Sequence, residues 1–175
     1  FPDHKKPVLL IVGGSSGSKV INEAVRKVLP ELLEQFYVIH LCGKGNLDEQ
    51  LKGVLGYAQF EYASAELTDM FALADMAISR AGANSICELL ALHKPNILIP
   101  LSAAASRGDQ ILNAKSFAKQ GFSYVLEEEQ LTDKTLLSAV KEVYENREKY
   151  KKAMSESGQM DSIGTIINLI EEQAR

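Results

Sequence analysis

A chain of 175 residues, 46% hydrophobic and 24% charged, has the length and apolar content for one well-buried core and one soluble globular domain of ordinary size. Its formal net charge of -4 and pI of about 5.5 exclude a global electrostatic pull toward nucleic acid or an anionic membrane, so no nucleic-acid partner is expected. No apolar run approaches ~18 residues and no signal-like segment opens the chain, so no membrane-spanning helix is expected.

The chain begins at Phe1 rather than Met and reaches an apolar strand almost at once, from which we expect a domain cut from a longer polypeptide. KKPVLLIVGG reads as a fully apolar strand, Val8 to Val12, broken at Gly13 and Gly14. After the loop GGSSGS, the segment SKVINEAVRKVLPELLEQ carries Val20, Ile21, Ala24, Val25, Val28 and Leu32 at three- and four-residue spacing, which predicts an amphipathic helix. Strand, glycine loop and helix form a candidate phosphate cradle. Gly13, Gly14 and Gly17 lack the first glycine of G-x-G-x-x-G, because Val12 stands there, and the next strand, Tyr37 to Cys42, ends without the acid that would hold an adenine ribose. Both features argue against NAD.

CGKGN is a further glycine turn, LDEQLKG a short helix, Tyr57 to Tyr62 a strand by alternation, and Glu66 to Asp75 a helix. The stretch Ile78 to Pro100 then reads as strand, glycine turn, helix, strand, with Ile86, Leu89 and Leu90 at helical spacing and Glu88 one turn into the helix. Its helix N-terminus opens directly after a strand end, the place where parallel sheets collect ligands. LSAAASRGDQ is a small-residue loop, QILNAKSFAKQG a helix closed by Gly121, and SYVLEEEQLT a last short strand with an acidic turn. From Thr132 onward the chain reads as successive helices, interrupted near Gly158 to Ser162. Strands alternating with helices predict an α/β fold, a doubly wound Rossmann-like parallel sheet of about six strands. Cys42 and Cys87 lie in apolar segments without CxxC or Cys/His spacing, which predicts two buried reduced thiols and no metal site.

GGSSGS after the first strand, HLCGKGN, FEY, ISRAGANSICELLALHKPNILIPLS and SRGDQILNA together resemble the C-terminal half of the MurG family, over nearly the whole chain. Members transfer N-acetylglucosamine from UDP-GlcNAc to an undecaprenyl-pyrophosphoryl-muramyl-pentapeptide in peptidoglycan synthesis. The resemblance implies that residues 1–175 are the UDP-sugar-binding half of a two-domain GT-B glycosyltransferase whose acceptor half is absent from this chain. It also implies a full-length enzyme that is cytoplasmic and peripheral on the inner face of the cell membrane, with UDP-GlcNAc and a lipid-linked acceptor as partners.

Carried over by position, the resemblance puts the phosphate loop on Gly13, Gly14, Ser15 and Gly17, with Ser16 where the family usually has Gln. The uracil-holding backbone falls near Tyr62 and Ala63, and the second phosphate turn on Ala83, Asn84 and Ser85. Glu88 matches the carboxylate that accepts the ribose hydroxyls. Asp109 and Gln110 stand where the family commonly has two glutamines on the sugar, so Asp109 departs from the pattern.

Each has a structural alternative. Ser85 and Glu88 form S-x-x-E, a capping box. GGSSGS can serve as a strand-to-helix turn, and Asp109 and Gln110 as loop surface. Arg80 either steadies the diphosphate or pairs with an acid such as Asp75, and His4, His40 and His93 read as surface or packing residues.

No residue is a candidate general base, and no Asp-x-Asp metal motif appears, so donor binding without metal or cofactor is expected, with no catalytic residue and no turnover in this chain alone. Three other readings stay open: the donor domain of a related UDP-sugar lipid glycosyltransferase, a stand-alone subunit of a two-chain UDP-GlcNAc transferase, and a non-enzymatic nucleotide-sugar sensor.

Overall fold

The computed structural model describes residues 5–14, 16–63, 66–103 and 107–157. Six parallel strands form one sheet: β1 Val8–Val12, β2 Tyr37–Leu41, β3 Tyr57–Phe60, β4 Met76–Ser79, β5 Asn96–Leu98 and β6 Tyr124–Val125. The spatial order is β3-β2-β1-β4-β5-β6. Every residue of β1, β2, β4 and β5 is buried, as expected of strands covered on both faces and of runs such as VLLIV with no polar alternation.

Because successive side chains point to opposite faces, the strands feed two cores. Leu9, Ile11, Val38, Met76, Ile78 and Ile97 face α1 Lys19–Lys27, α2 Leu29–Gln35 and α6 Asp133–Glu145, through Ile21, Val25, Leu32, Leu136 and Val140. Val8, Leu10, Val12, Ile39 and Leu98 face α3 Glu66–Leu73, α4 Ala83–Ala91, α5 Asp109–Lys119 and α7 Arg147–Ser155, through Phe71, Leu89, Ala114, Phe117 and Met154. The predicted doubly wound sheet is therefore present. Strand order reverses between β1 and β4, so their loops leave in opposite directions and open a crevice beyond the carboxyl ends.

Several expected elements differ in extent. The single amphipathic helix after β1 is two helices, because Pro30 lacks an N–H and its ring crowds the preceding turn; Val28 leaves helical geometry at φ -104° and ψ 13°. The short helix in LDEQLKG is one 3-10 turn, Glu49–Leu51, capped by Asp48. The strands predicted to run to Cys42 and Tyr62 end at Leu41 and Phe60. Gly121 closes α5 as expected, at φ 76°, with its N–H on Ala118 O and the Phe122 N–H on Phe117 O, both at 3.0 Å. The expectation of two buried thiols fails at Cys87, which is exposed on α4 because Ile86, Leu89 and Leu90 take the inward stripe; Cys42 is buried. The expected break near Gly158 to Ser162 and the helix after it lie outside the described residues, as does His4. Among the described residues no helix is long and apolar enough to cross a membrane.

Candidate functional site

An open cleft of about 790 Å³ lies at the reversal point, lined by the loops after β1 and β4 and by Leu101, Gln110 and Glu128. The loop after β1 turns through Gly14 and Gly17, both at positive φ, with Gly17 N–H donating to Gly14 O at 3.0 Å. It delivers Ser18 as the N-cap of α1, its Oγ accepting from Ile21 N–H at 3.3 Å. After β4, the chain passes Arg80 and Ala81 to Gly82, which caps α4 without a side-chain hydrogen bond. Two helix N-termini thus point their free N–H groups into one cleft.

Their first turns are distinctive. Neither α1 nor α4 has an acid there, and α1 opens with Lys19, a cation at the positive end of a helix dipole. The other five described helices each carry an acid in the first turn, from Glu31 in α2 to Glu148 in α7. An acid at the N-terminus normally stabilises a helix by about 0.3–1 kcal/mol. Withholding it from these two ends leaves that favourable position to an anion in the cleft.

Arg80 is buried on the cleft floor. Its guanidinium donates to Ser18 Oγ at 2.7 Å, Ile99 O at 3.1 Å and Pro100 O at 3.2 Å, and it forms an ion pair with Glu128. Glu128 Oε2 lies against the guanidinium without an aligned hydrogen bond, so this contact is charge pairing rather than a fork. Asp75, the acid suggested by sequence proximity, instead accepts from Val8 N–H at 2.8 Å.

Of the positions singled out from sequence, Gly14, Gly17, Ala83, Asn84, Ser85 and Gln110 line this cleft, and Ser15 lies outside the described residues. Gln110 Oε1 accepts from Ala81 N–H at 3.3 Å and Leu101 N–H at 3.1 Å, clasping the loops after β4 and β5 and leaving its amide N–H groups as donors. Glu88 is half-buried in the second turn of α4, beyond the lining residues, and Asp109 is exposed at the first position of α5. Ala63 packs, partly buried, against the core cluster that holds Phe71 and Leu89, and is not among the residues that line the cleft. The capping-box reading of Ser85 and Glu88 is overturned: α4 begins at Ala83, so Ser85 is its third residue and not its cap. Sequence reading missed Ser18, Lys19 and Glu128. A lysine directly after a capping serine was a readable signal for Lys19; nothing distinguished Glu128 from Glu127 and Glu129. Among the described residues no group of three or more His, Cys, Asp or Glu is placed to hold a metal ion.

Behind the cleft a buried polar chain joins α1, β2 and β3. Asn22 Nδ2 donates to Cys42 O at 2.8 Å, so its Oδ1 receives His40 Nε2–H at 2.9 Å, and His40 Nδ1 is left to accept the Tyr57 hydroxyl at 2.9 Å. Burial, assisted by the Arg26 charge, lowers the His40 pKa from 6.5 to about 3, and burial raises that of Tyr57, so a neutral imidazole sits between two neutral partners. The unfolded chain takes up a proton near pH 6.5 that the folded chain refuses until about pH 3. This contribution to stability is fully present above pH 6.5 and is lost as pH falls, at up to about 1.4 kcal/mol per unit. Urea unfolding at pH 7.5 and 5.0 should therefore show the native chain losing about 2 kcal/mol more than His40→Gln, which lacks the titrating group. Parallel losses in the two chains would refute a neutral, desolvated His40.

Residues 8–168 match the family model described as the glycosyltransferase family 28 C-terminal domain. The chain is 63% identical over 166 residues to the UDP-N-acetylglucosamine--N-acetylmuramyl-(pentapeptide) pyrophosphoryl-undecaprenol N-acetylglucosamine transferase of Lachnoclostridium phytofermentans, covering 95% of this chain and 47% of that one. Its identity to the transferase of the same name from Clostridium perfringens is 59% over 174 residues, covering 99% and 48%. The chain thus spans about half the length of the curated relatives it matches. Its fold superposes on Acinetobacter baumannii MurG with a TM-score of 0.77 at 23% identity, covering 97% of this chain and 50% of that chain. It also superposes on the glycosyltransferase of kitacinnamycin with a TM-score of 0.72 at 20% identity, covering 89% and 39%. The doubly wound sheet is accordingly one half of a GT-B architecture, and the chain belongs to the glycosyltransferase family 28 C-terminal domain family.

Proposed function

We propose that this chain is the donor-binding half of an inverting N-acetylglucosaminyltransferase, holding UDP-GlcNAc for transfer to a lipid-linked muramyl-pentapeptide. The observation that carries the proposal is the pair of acid-free helix N-termini, α1 and α4, converging on one glycine-walled cleft. Such a cleft suits a diphosphate. The identity of 63% to a transferase named for that donor and acceptor supports the choice of nucleotide sugar.

In this reading the N–H groups of the Gly14 to Gly17 loop and of Ala83, Asn84 and Ser85 hold the diphosphate, Ser15 adds a hydroxyl, and Lys19 and Arg80 add positive charge. These fixed dipoles and cations stabilise the negative charge that develops on UDP as the sugar leaves, without a metal. Glu88 accepts the ribose hydroxyls, backbone near Ala63 receives uracil, and Gln110, with Asp109 beside it, turns its free amide N–H groups to the sugar. The general base for the acceptor hydroxyl belongs to the other half of the enzyme, as does contact with the inner face of the membrane.

Calorimetric titration of the chain with UDP tests this. Binding is expected, equal with and without EDTA, and Glu88→Gln should weaken it by about tenfold or more, about 1.4 kcal/mol, because each hydrogen bond from a ribose hydroxyl to a carboxylate is charge-assisted. No detectable UDP binding would end the proposal. Binding lost on EDTA would reveal an unrecognised cation, and full affinity in Glu88→Gln would remove Glu88 from the ribose.

A further inference from the structure

The loop after β1 does not stand alone. Its Gly17 rests on the turn after β2: a Cβ on Gly17 would overlap the Cys42 carbonyl oxygen and come within 2.8 Å of Gly43 Cα, and a Cβ on Gly43 would lie 2.5 Å from Gly17 Cα. The position of the Cys42 carbonyl therefore sets that of Gly17. Two bonds hold the backbone groups of Cys42: its N–H on Phe60 O at 2.8 Å, which continues the sheet, and its carbonyl receiving Asn22 Nδ2 at 2.8 Å. Asn22 is buried in the first turns of α1, and its N–H is on Ser18 O at 2.8 Å. The same residue thus ties the buttress behind the phosphate loop to the helix end in front of it. Its other amide atom is anchored by His40, which Tyr57 holds in turn, so the amide cannot rotate without breaking a buried bond.

We propose that Asn22 is a positioning residue for diphosphate binding, fixing the Cys42 carbonyl and through it Gly17, so that the loop and the α1 N-terminus present their N–H groups at one spacing. This rests on the donor-binding reading above. Phosphate recognition by backbone N–H groups has little tolerance for displacement, because the loop has no long side chain that can follow the ligand.

Asn22→Ser tests it, since the shorter side chain removes the donor toward Cys42 without placing a charge behind the anion site. Asn22→Asp is measured beside it, because it keeps the acceptor toward His40 but adds a buried negative charge, and a loss seen in Asn22→Asp and absent in Asn22→Ser would be charge repulsion and would overturn the positioning role. UDP and uridine affinities are measured on the same folded variant, by calorimetry and by NMR titration. UDP affinity should fall by about tenfold or more while uridine affinity stays within about twofold, because uridine carries no phosphate to misalign. Unchanged affinity for both ligands, or equal loss for both, would overturn the positioning role. If the unsubstituted chain fails to bind UDP, the donor-binding reading falls first and takes this inference with it.

Discussion

Gly17→Ala should be among the most damaging single substitutions in this chain, costing about 3–5 kcal/mol of folding stability, whereas Gly14→Ala three residues earlier should cost only about 1 kcal/mol. Both glycines have positive φ, 75° and 91°, so both variants carry the strain of a left-handed alanine. They differ in what the new methyl group meets. At Gly14 no heavy atom of a described residue other than its chain neighbours lies within 4 Å, but at Gly17 the methyl overlaps the Cys42 carbonyl oxygen and sits 2.8 Å from both the Cys42 carbonyl carbon and Gly43 Cα. These are backbone atoms held by Asn22 and by the sheet, so nothing nearby rotates out of the way. Against a total stability of roughly 5–15 kcal/mol, the loss at Gly17 is a large fraction. Urea denaturation of the two variants side by side isolates the contact from the strain. Midpoints corresponding to costs within about 1 kcal/mol of each other would show that the two loops are not packed as described.

Arg80→Met should cost a comparable amount, about 3–5 kcal/mol, because it leaves Glu128 as an uncompensated charge with 18% side-chain exposure. It also removes the donors on Ser18 Oγ, Ile99 O and Pro100 O. Removing both charges in Arg80→Met/Glu128→Leu should restore much of the stability, since an apolar pair of similar volume needs no counter-charge. It should not restore UDP affinity, because the Arg80 charge is not replaced and Lys19 alone is left beside the diphosphate. Urea midpoints and UDP titrations on the single and double variants separate the two effects. A double variant no more stable than Arg80→Met would mean that the carbonyl and hydroxyl bonds, and not the ion pair, dominate at this position.

The sequence by itself determined the α/β class, the six strands and the loops that line the cleft, because those features come from local physics. VLLIV and MAIS are apolar on both faces, so they read as central parallel strands whatever surrounds them. Gly14 and Gly17 occupy positive φ, where other residues are strained, and Gly121 does the same at the end of α5. Even the exposure of Cys87 was legible in principle from the Ile86, Leu89 and Leu90 stripe, and Pro30 marked the break between α1 and α2. What only the tertiary structure decided is which distant groups meet. Asp75 is five residues from Arg80 but lies before β4 while Arg80 lies after it, so an extended strand keeps them about 16 Å apart. Glu128 is remote in sequence, yet the turn after β6 brings it to the same carboxyl edge of the sheet. The Asn22 to Cys42 bond and the seating of Gly17 on the turn after β2 likewise depend on β1 and β2 lying side by side in register. Periodicity and turn chemistry act over a few residues, whereas pairing across a parallel sheet is set by strand order, which no local pattern encodes.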